Sequence, residues 1–434
     1  MSALAGRHLL LVGGGREALP GFARLRALGA RLAVSDRDPA APGFALADER
    51  LLASTYDAEA TVAAARALHA RLPLDGVLTI AADVPVTVAS VADALGLPGL
   101  PLAAARRAAD KLAMKEALRA GGVPVPEFAP VASAADLSSA LRRIGLPAIV
   151  KPVDSRGARG VVRLRPGDDV AAAFAAAQAA SPAGRVLVER FVPGPQLSSE
   201  SFVAGDTIAT PGLADRNYEW LEACAPHVIE NGGLQPARAA TVLAPRVDAL
   251  VRAAAHALGL PGGIVKGDLV VDEDGTLRVI EVAARLSGGA FCTLTIPLST
   301  GVDLVAAAAC HAVGVPVDPT TLRPRRATPV ANRFFRPPPG RLRAVTGFAA
   351  AARLPGVAWA ELTVEPGDRI RPLTDHTCRV GSVIAIGEGA DQAIARAEAA
   401  VAAVRFDVEP EAASPAAVTE ENHREALPRY GLAR

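Results

Sequence analysis

Short apolar runs alternate with helical stretches over the first hundred residues, and this alternation is the feature that most restricts the fold. The runs read as buried strands at 8–13, 31–36 and 76–81. The helical stretches that follow them lie at 17–28, 57–72 and 84–95. Strands that alternate with helices form a parallel, doubly wound sheet. The sequence therefore predicts an α/β fold for this part of the chain.

Three glycines follow the first predicted strand, and an acidic residue, Asp36, ends the second. This order is found in dinucleotide-binding sites, but G-x-G-x-x-G is not completed because Ala18 stands where the third glycine is expected. We interpret the glycines as a tight turn in a Rossmann-like domain that binds no cofactor. An NAD-dependent oxidoreductase is the alternative, and it fails if no nicotinamide cofactor binds.

Length and charge exclude several other classes of protein. The chain has 434 residues, a formal net charge of +1, and a sequence that is half hydrophobic. At about 150 residues per domain, this length predicts about three domains. A balanced charge argues against nucleic-acid binding and a polybasic membrane anchor. The charge-free stretch 287–302 is too short to span a bilayer, and the four cysteines, without a C-x-x-C pair, fit a reducing cytosol.

The chain uses lysine at only four of its 46 basic positions, namely Lys111, Lys115, Lys151 and Lys266. A lysine kept in such an arginine-rich chain indicates that a compact ammonium is needed. Lys151 lies on a predicted strand and precedes the glycine-rich loop 155–160. Such a loop can close its backbone N–H groups over phosphates while the ammonium supplies charge. An ordinary hairpin with glycines at positive φ is the alternative.

Two carboxylates, Asp268 and Glu281, lie thirteen residues apart on strands joined by the acidic turn 272–275. This spacing lets them face each other across an antiparallel ladder. Burying both without a cation would be costly, and hard oxygen ligands suit Mg²⁺ bound to phosphates. In the alternative interpretation, one carboxylate points to solvent or pairs with Lys266 or Arg285.

The order of these parts resembles the ATP-grasp superfamily, and more narrowly the carboxylate–amine ligases of the L-amino-acid ligase kind. The resemblance runs from the first strand to about residue 405. The motifs that carry it are D-K at 110–111, K-P with the glycine loop at 151–160, V-E-R-F-V-P-G at 188–194, the acids at 268 and 281 followed by A-A-R-L-S-G-G, and R-P-L-T-D-H-T-C-R-V-G-S-V-I-A-I-G at 371–387.

The resemblance implies an α/β protein with three parts. A Rossmann-like N-terminal domain is expected at 1–105 and a two-part ATP-grasp domain, with an α+β lid at about 125–190 and a core, at 106–315. A mixed α/β C-terminal domain is expected at 316–434, with a polar tail after Glu409.

The resemblance also assigns site residues. It implies a set of nucleotide-binding residues that comprises two lysines, the glycine-rich loop, the linker strand and the position that contacts the ribose. These residues are Lys111, Lys151, Gly157, Arg159, Gly160, Glu189, Arg190, Phe191, Val192 and Gln196. Asp268 and Glu281 match the Mg²⁺ carboxylates. The residues implied near the acyl phosphate or the amino substrate are Arg285 and Glu230, and Lys266 is a further catalytic candidate on the strand of Asp268.

Three departures from the family pattern stand out. The first metal acid is the shorter Asp268, and Ala283 replaces an Asn that can ligate metal. Gly233 stands where peptide-forming relatives carry a His. We hypothesise that Lys266 fills, with its positive charge, part of the space that the missing metal ligand leaves. His227 is an open candidate for the substrate pocket, and His376 is interpreted as a packing or loop residue.

The predicted activity is ATP- and Mg²⁺-dependent joining of a small carboxylic acid to an amine through an acyl phosphate, with Mn²⁺ as a usable substitute for Mg²⁺. The alternatives are a bicarbonate-activating carboxylase of the same fold and an ATP-binding module without turnover. We expect a cytoplasmic protein without nucleic-acid or membrane partners, and the resemblance is compatible with a homodimer.

Overall fold

The computed structural model describes residues 2–410, so nearly all of the polar tail predicted after Glu409 lies outside the described residues. The first elements are β1 (His8–Val12), α1 (Leu19–Ala27), β2 (Arg31–Asp36), β3 (Glu49–Leu52), α2 (Ala58–Arg71), β4 (Gly76–Leu78) and α3 (Pro85–Leu95). Their strands pair in parallel in the order β3-β2-β1-β4. The predicted parallel α/β sheet is therefore confirmed. The Asp36 carboxylate accepts a hydrogen bond from the Gly14 N–H at 2.9 Å, so this acid holds the glycine turn itself.

The next segment forms a small antiparallel layer. Its elements are α4 (Leu102–Ala109), α5 (Lys111–Ala120), β5 (Phe128–Val131), α6 (Ala134–Ile144), β6 (Ala148–Pro152), β7 (Val162–Leu164), α7 (Val170–Ala179) and β8 (Val186–Arg190). The sheet has the order β5-β8-β6-β7, and apolar faces of α6 and α7 cover it. We call β5–β8 with α6 and α7 the lid.

The sequence pattern over 103–119 predicts one continuous helix, and this prediction is wrong because the chain breaks the helix at Asp110. Asp110 has extended backbone angles (φ −110°, ψ 112°), and its carboxylate accepts the N–H groups of Leu112 and Ala113. This is N-cap geometry, which begins a new helix. Lys111 is consequently the first residue of α5, and its own N–H donates to the carbonyl of Val153 in the lid at 2.8 Å.

A large antiparallel sheet forms the centre of the molecule. Its part of the chain contains β9 (Gln196–Ala204), β10 (Thr207–Arg216), β11 (Gly232–Gln235), α8 (Ala240–Leu258), β12 (Gly262–Val271), β13 (Leu277–Ala283), α9 (Ile296–Thr300), α10 (Leu304–Ala312) and β14 (Val330–Phe334). Helix α8 buries its apolar side, including Val247 and Val251, against β12 and β13. This packing fixes the two strands that carry Asp268 and Glu281.

The last elements complete the fold. They are β15 (Gly340–Thr346), α11 (Phe348–Ala351), β16 (Val357–Leu362), β17 (Arg369–Ile370), β18 (Gly381–Ile386), α12 (Ala390–Ala402) and β19 (Arg405–Glu409). The central sheet runs β13-β12-β9-β10-β11-β14-β18-β16, and a separate small sheet runs β17-β15-β19. The central sheet thus continues across the position of the expected boundary at 315, and the domain boundaries stay a prediction. Among residues 2–410, no helix is both long and apolar enough to cross a bilayer.

Candidate active site

A cleft of about 650 Å³ lies where the N-terminal sheet, the lid and the central sheet meet. All the site residues predicted from the sequence line it except Gly160. Gly160 lies behind the loop, where an added Cβ would approach the Cβ of Ala180 to 2.5 Å. His227 is also absent from the lining; its backbone instead bridges to Val162 of the lid.

A buried group of two ammonium ions and one carboxylate lies at one end of the cleft, where Lys151 and Glu189 line it and Lys115 lies behind them. Nζ of Lys151 lies 2.5 Å from Oε1 of Glu189, and Nζ of Lys115 lies 2.6 Å from Oε2 of the same residue. Burial alone would raise the pKa of Glu189, but the two lysines outweigh it and lower that pKa. Burial lowers the pKa of Lys115 to about 8, although Glu189 opposes this shift. The Glu189 carboxylate is therefore held ionised by two cations from different elements.

Lys115 had no predicted role, yet a signal for it was present. It lies four residues after Lys111, which places the two on one face of α5, and both belong to the small set of lysines in the chain. Lys111 lies closer to the opening of the cleft. Its Nζ donates to the Ser155 carbonyl at 2.7 Å and lies 3.3 Å from Oε1 of Glu281.

The glycine-rich loop 155–160 contacts both neighbouring parts of the molecule. Gly157 and Ala158 have φ angles of +64° and +62°. Nε of Arg156 lies 3.3 Å from Asp83 of the N-terminal region, and its guanidinium lies over the Tyr56 ring. On the other side, the N–H of His376 donates to the Gly157 carbonyl at 2.9 Å. The loop is therefore held over the cleft from two sides.

Asp268 and Glu281 are direct partners across β12 and β13, as their spacing predicts. Oδ1 of Asp268 also accepts a short hydrogen bond from Nζ of Lys266, lies 2.9 Å from Nη1 of Arg216, and accepts from Ser198 Oγ at 3.3 Å. Burial raises the pKa of Asp268, but the charges of Arg216 and Lys266 hold it well below its ordinary value. Asp268 therefore faces Glu281 and also pairs with Lys266.

The chemistry of the two carboxylates suits a divalent cation. Within residues 2–410 no three His, Cys, Asp or Glu side chains gather as a metal cluster. Mg²⁺, however, is commonly held by one or two carboxylates together with phosphate oxygens. Asp268 and Glu281 fit this pattern, and Ala283 adds no oxygen to it.

The far end of the cleft is rich in arginine. Nη2 and Nε of Arg216 contact Oε2 of Glu230 at 2.6 and 3.0 Å. Nη2 of Arg379 donates to the Glu230 carbonyl at 2.7 Å, and this guanidinium lies 3.7 Å from the centre of the Phe334 ring. Gly233 lines the same end, where a Cβ would approach the Asp215 carbonyl to 2.5 Å. The backbone therefore has no space for the His that peptide-forming relatives carry there.

Arg285 extends from the end of β13 into the cleft, where Nε lies 3.6 Å from Oδ1 of Asp83. The segment that follows it is fixed by Glu200, a fully buried carboxylate that accepts hydrogen bonds from the N–H and Oγ of Ser287. Sequence reasoning missed Asp83, Glu200, Arg216 and Arg379, because each acts through a partner that is distant along the chain and belongs to no local motif.

His376 lies in a short turn before β18, where it lines the cleft and is partly buried. Its pKa lies well below the ordinary value because of burial first, and then because of the positive charges of Arg379, Arg216 and Lys266, which Asp268 only partly offsets. The folded protein therefore holds it neutral, whereas the unfolded chain protonates it below pH 6.5. The unfolding free energy should fall as the pH falls through this value.

We expect His376→Asn to make that fall shallower between pH 7 and 5, measured by urea unfolding at a series of pH values. His256→Asn, at a half-exposed position on α8, is the matched control and should leave the slope unchanged. An identical slope for His376→Asn and the unmodified protein would show that His376 is not held neutral.

Comparisons with known proteins agree with this geometry. Residues 22–99 match a family model described as the ATP-grasp N-terminal domain, residues 108–289 match the ATP-grasp domain, and residues 333–409 match the L-amino acid ligase C-terminal domain 2. The three models match successive parts of the chain in the order that the sequence predicts.

Individual relatives support the same assignment. A formate-dependent phosphoribosylglycinamide formyltransferase of Burkholderia vietnamiensis is 28% identical over 411 residues, which cover 92% of this chain and 95% of the relative. A D-alanine–D-alanine ligase of a Synechococcus species is 34% identical over 200 residues, 43% of this chain and 58% of that enzyme. The crystal structure of L-amino acid ligase from Bacillus licheniformis superposes with a TM-score of 0.79 at 21% identity, over 94% of this chain and 100% of that one. The chain therefore belongs to the ATP-grasp superfamily, and within it to the carboxylate–amine ligases.

Proposed function

We propose that this ligase phosphorylates a small carboxylic acid with ATP and transfers the activated acyl group to an amine, forming an amide or peptide bond. The observation that carries the proposal is the cleft itself. It places buried lysines, a glycine-rich loop, two facing carboxylates and Arg285 around one space. A carboxylate is a poor electrophile, and these are the groups that phosphoryl transfer to it requires.

ATP would lie with its adenine near Glu189 and its phosphates toward the loop. Ile149, Val192 and Ile280 provide apolar lining for the base, and Gln196 is a neutral hydrogen-bonding partner for the ribose. Lys151 and Lys111 would contact the phosphates, and the N–H groups around Gly157 would close over them. Arg159, Arg190 and Phe191 complete this part of the lining.

Asp268 and Glu281 would hold the magnesium ion, and manganese could replace it. When bound, the ion would neutralise charge on the β- and γ-phosphates and orient them. The chain adds the fixed charges of Lys111 and Lys151 to the same region. Little covalent chemistry from the protein is needed, because positioning and charge account for most of the catalysis of phosphoryl transfer.

In the first step, a carboxylate oxygen of the acid attacks the γ-phosphorus of ATP, giving an acyl phosphate and ADP. In the second, the amine attacks the acyl carbon, the carbon–oxygen bond to phosphate breaks, and the nitrogen loses a proton. Arg285 and Lys266 would stabilise the oxyanion that forms between these events. The Glu230 carboxylate, which is ion-paired with Arg216, would contact the amine substrate.

The loop would protect the intermediate from water. Its contacts to Asp83 and His376 hold it over the cleft, and water exclusion prevents hydrolysis of a reactive acyl phosphate. We also propose a cytoplasmic enzyme, because all four cysteines are free and a reducing compartment keeps them so. A homodimer is the assembly that we propose to test first by light scattering.

Release of ADP over a panel of acid and amine pairs tests the function. The proposal predicts release that requires both an acid and an amine and yields their condensation product. Release that depends on bicarbonate instead would support a carboxylase. Tight ATP binding without release from any pair would support a binding module, and either result would overturn the proposal.

A further inference from the structure

Asp268 and Glu281, the two carboxylates proposed to hold the metal ion, each use one oxygen for contacts with neighbouring side chains. All three contacts of Asp268, from Lys266, Arg216 and Ser198, fall on Oδ1. The charge partner of Glu281, Lys111, lies against Oε1. Among residues 2–410, Oδ2 of Asp268 and the second oxygen of Glu281 accept no hydrogen bond. Each acid therefore keeps one oxygen, which is enough to share a single cation.

The space next to this pair carries fixed positive charge. Lys266 is the strand partner of Ala283, whose short side chain offers no oxygen, and its ammonium contacts Asp268. Arg216 is also fixed, because its guanidinium bridges Asp268 and Glu230 and lies 5.3 Å from the centre of the Tyr218 ring. Its side chain is only 11% exposed. A second divalent ion at this side of Asp268 would meet two cations, and Ala283 would offer it no ligand.

We propose that the chain binds one divalent cation with ATP, and that Arg216 and Lys266 supply at Asp268 the positive charge that a second cation would bring. This inference rests on the proposed function, since it concerns the nucleotide-bound state of the same cleft. It assigns Arg216 and Lys266 as charge-supplying residues and explains why the chain has a lysine opposite Ala283. The charge on the transferring phosphoryl group would then be met by one metal ion and by three side chains, Lys111, Lys266 and Arg216.

The number of bound Mn²⁺ ions tests this inference without reference to turnover. The full chain is dialysed against Mn²⁺ and a nonhydrolysable ATP analogue, the bound metal is counted, and the electron paramagnetic resonance spectrum is recorded. We expect one Mn²⁺ per chain and a spectrum without coupling between two Mn²⁺ ions. Two bound ions with a coupled spectrum would overturn the inference while leaving the ligase proposal intact. Failure to bind the analogue at all would overturn both.

Variants separate the roles of the residues. Ala283→Asn adds a ligand but leaves both cations, so we expect the count to remain one. Ala283→Asn combined with Lys266→Gln removes one of the repelling charges, and we expect a second, weaker Mn²⁺ with detectable spectral coupling. These two variants leave Arg216, whose side chain is largely buried, unchanged. Arg238→Gln, which removes an exposed arginine paired with Asp391, should leave the count at one. A second bound Mn²⁺ in Ala283→Asn alone would contradict the assignment of Lys266. The absence of a second Mn²⁺ in the combined variant would contradict it too.

Discussion

Replacing Glu281 by Gln is expected to lower the rate of ADP release about a thousandfold while leaving the fold intact. Glu281 lies opposite Asp268 and 3.3 Å from Lys111. The amide keeps the shape and one acceptor oxygen but removes the negative charge that a divalent ion requires. Losing metal-based charge stabilisation costs several kcal/mol, and about 4 kcal/mol corresponds to a thousandfold change in rate. The rate is measured by coupled detection of ADP under saturating acid and amine.

The matched control is Glu273→Gln, which changes the same chemical group on the exposed turn between β12 and β13. We expect this variant to retain the full rate. Circular dichroism of both variants checks that the fold is kept. A Glu281→Gln protein that turns over like the control would show that this carboxylate does not serve the phosphates.

Replacing Glu189 by Leu is expected to lower the unfolding free energy by about 3–5 kcal/mol, because it leaves buried charge without a partner. Both carboxylate oxygens contact a lysine, and the side chains of Lys115 and Lys151 are at most 5% exposed. Urea unfolding followed by circular dichroism measures the loss. Glu127→Leu breaks the exposed pair with Arg143 at the edge of the same sheet, and such pairs contribute about 0–1 kcal/mol.

The loss should also depend on pH with a defined sign. Burial holds the pKa of Lys115 at about 8 in the folded protein, below its ordinary value of 10.5. Between these values the unfolded chain binds more protons, so stability rises with pH across that window. Without Glu189 the pKa of Lys115 falls further, and the rise begins at lower pH. A deficit in Glu189→Leu that stays constant from pH 7 to 9 would contradict this charge assignment.

Local patterns in the sequence identified the parts of the site that depend on short distances along the chain. The thirteen-residue spacing of Asp268 and Glu281 around a tight turn indicated that they could face each other, and a register shift between Asp268 and Leu269 makes them direct partners. The glycines at 157 and 160 and the lysine on β6 were recognisable for the same reason. Asp110 carried a readable signal too, since Asp is a favoured N-cap, but the apolar pattern on both sides of it favoured one continuous helix.

The parts that could not be predicted depend on tertiary packing. Arg216 meets Asp268 only because β10 and β12 both flank β9 in the central sheet. His376 reaches the cleft because the segment before β18 packs against the loop that contains Gly157. Asp83 forms ion pairs with Arg156 and Arg285, which lie more than seventy and more than two hundred residues further along the chain. No local motif marks such partners, so the charge balance of the cleft emerges only from the folded chain.

Isotope transfer from the acid to phosphate tests the ligase assignment most directly. An acid that supports ADP release is labelled with ¹⁸O in both carboxylate oxygens, and the released phosphate is analysed by mass spectrometry. Activation as an acyl phosphate predicts one ¹⁸O atom in each phosphate, because the bridging oxygen of the intermediate leaves with it. Phosphate that carries no label while the amide accumulates would contradict the account.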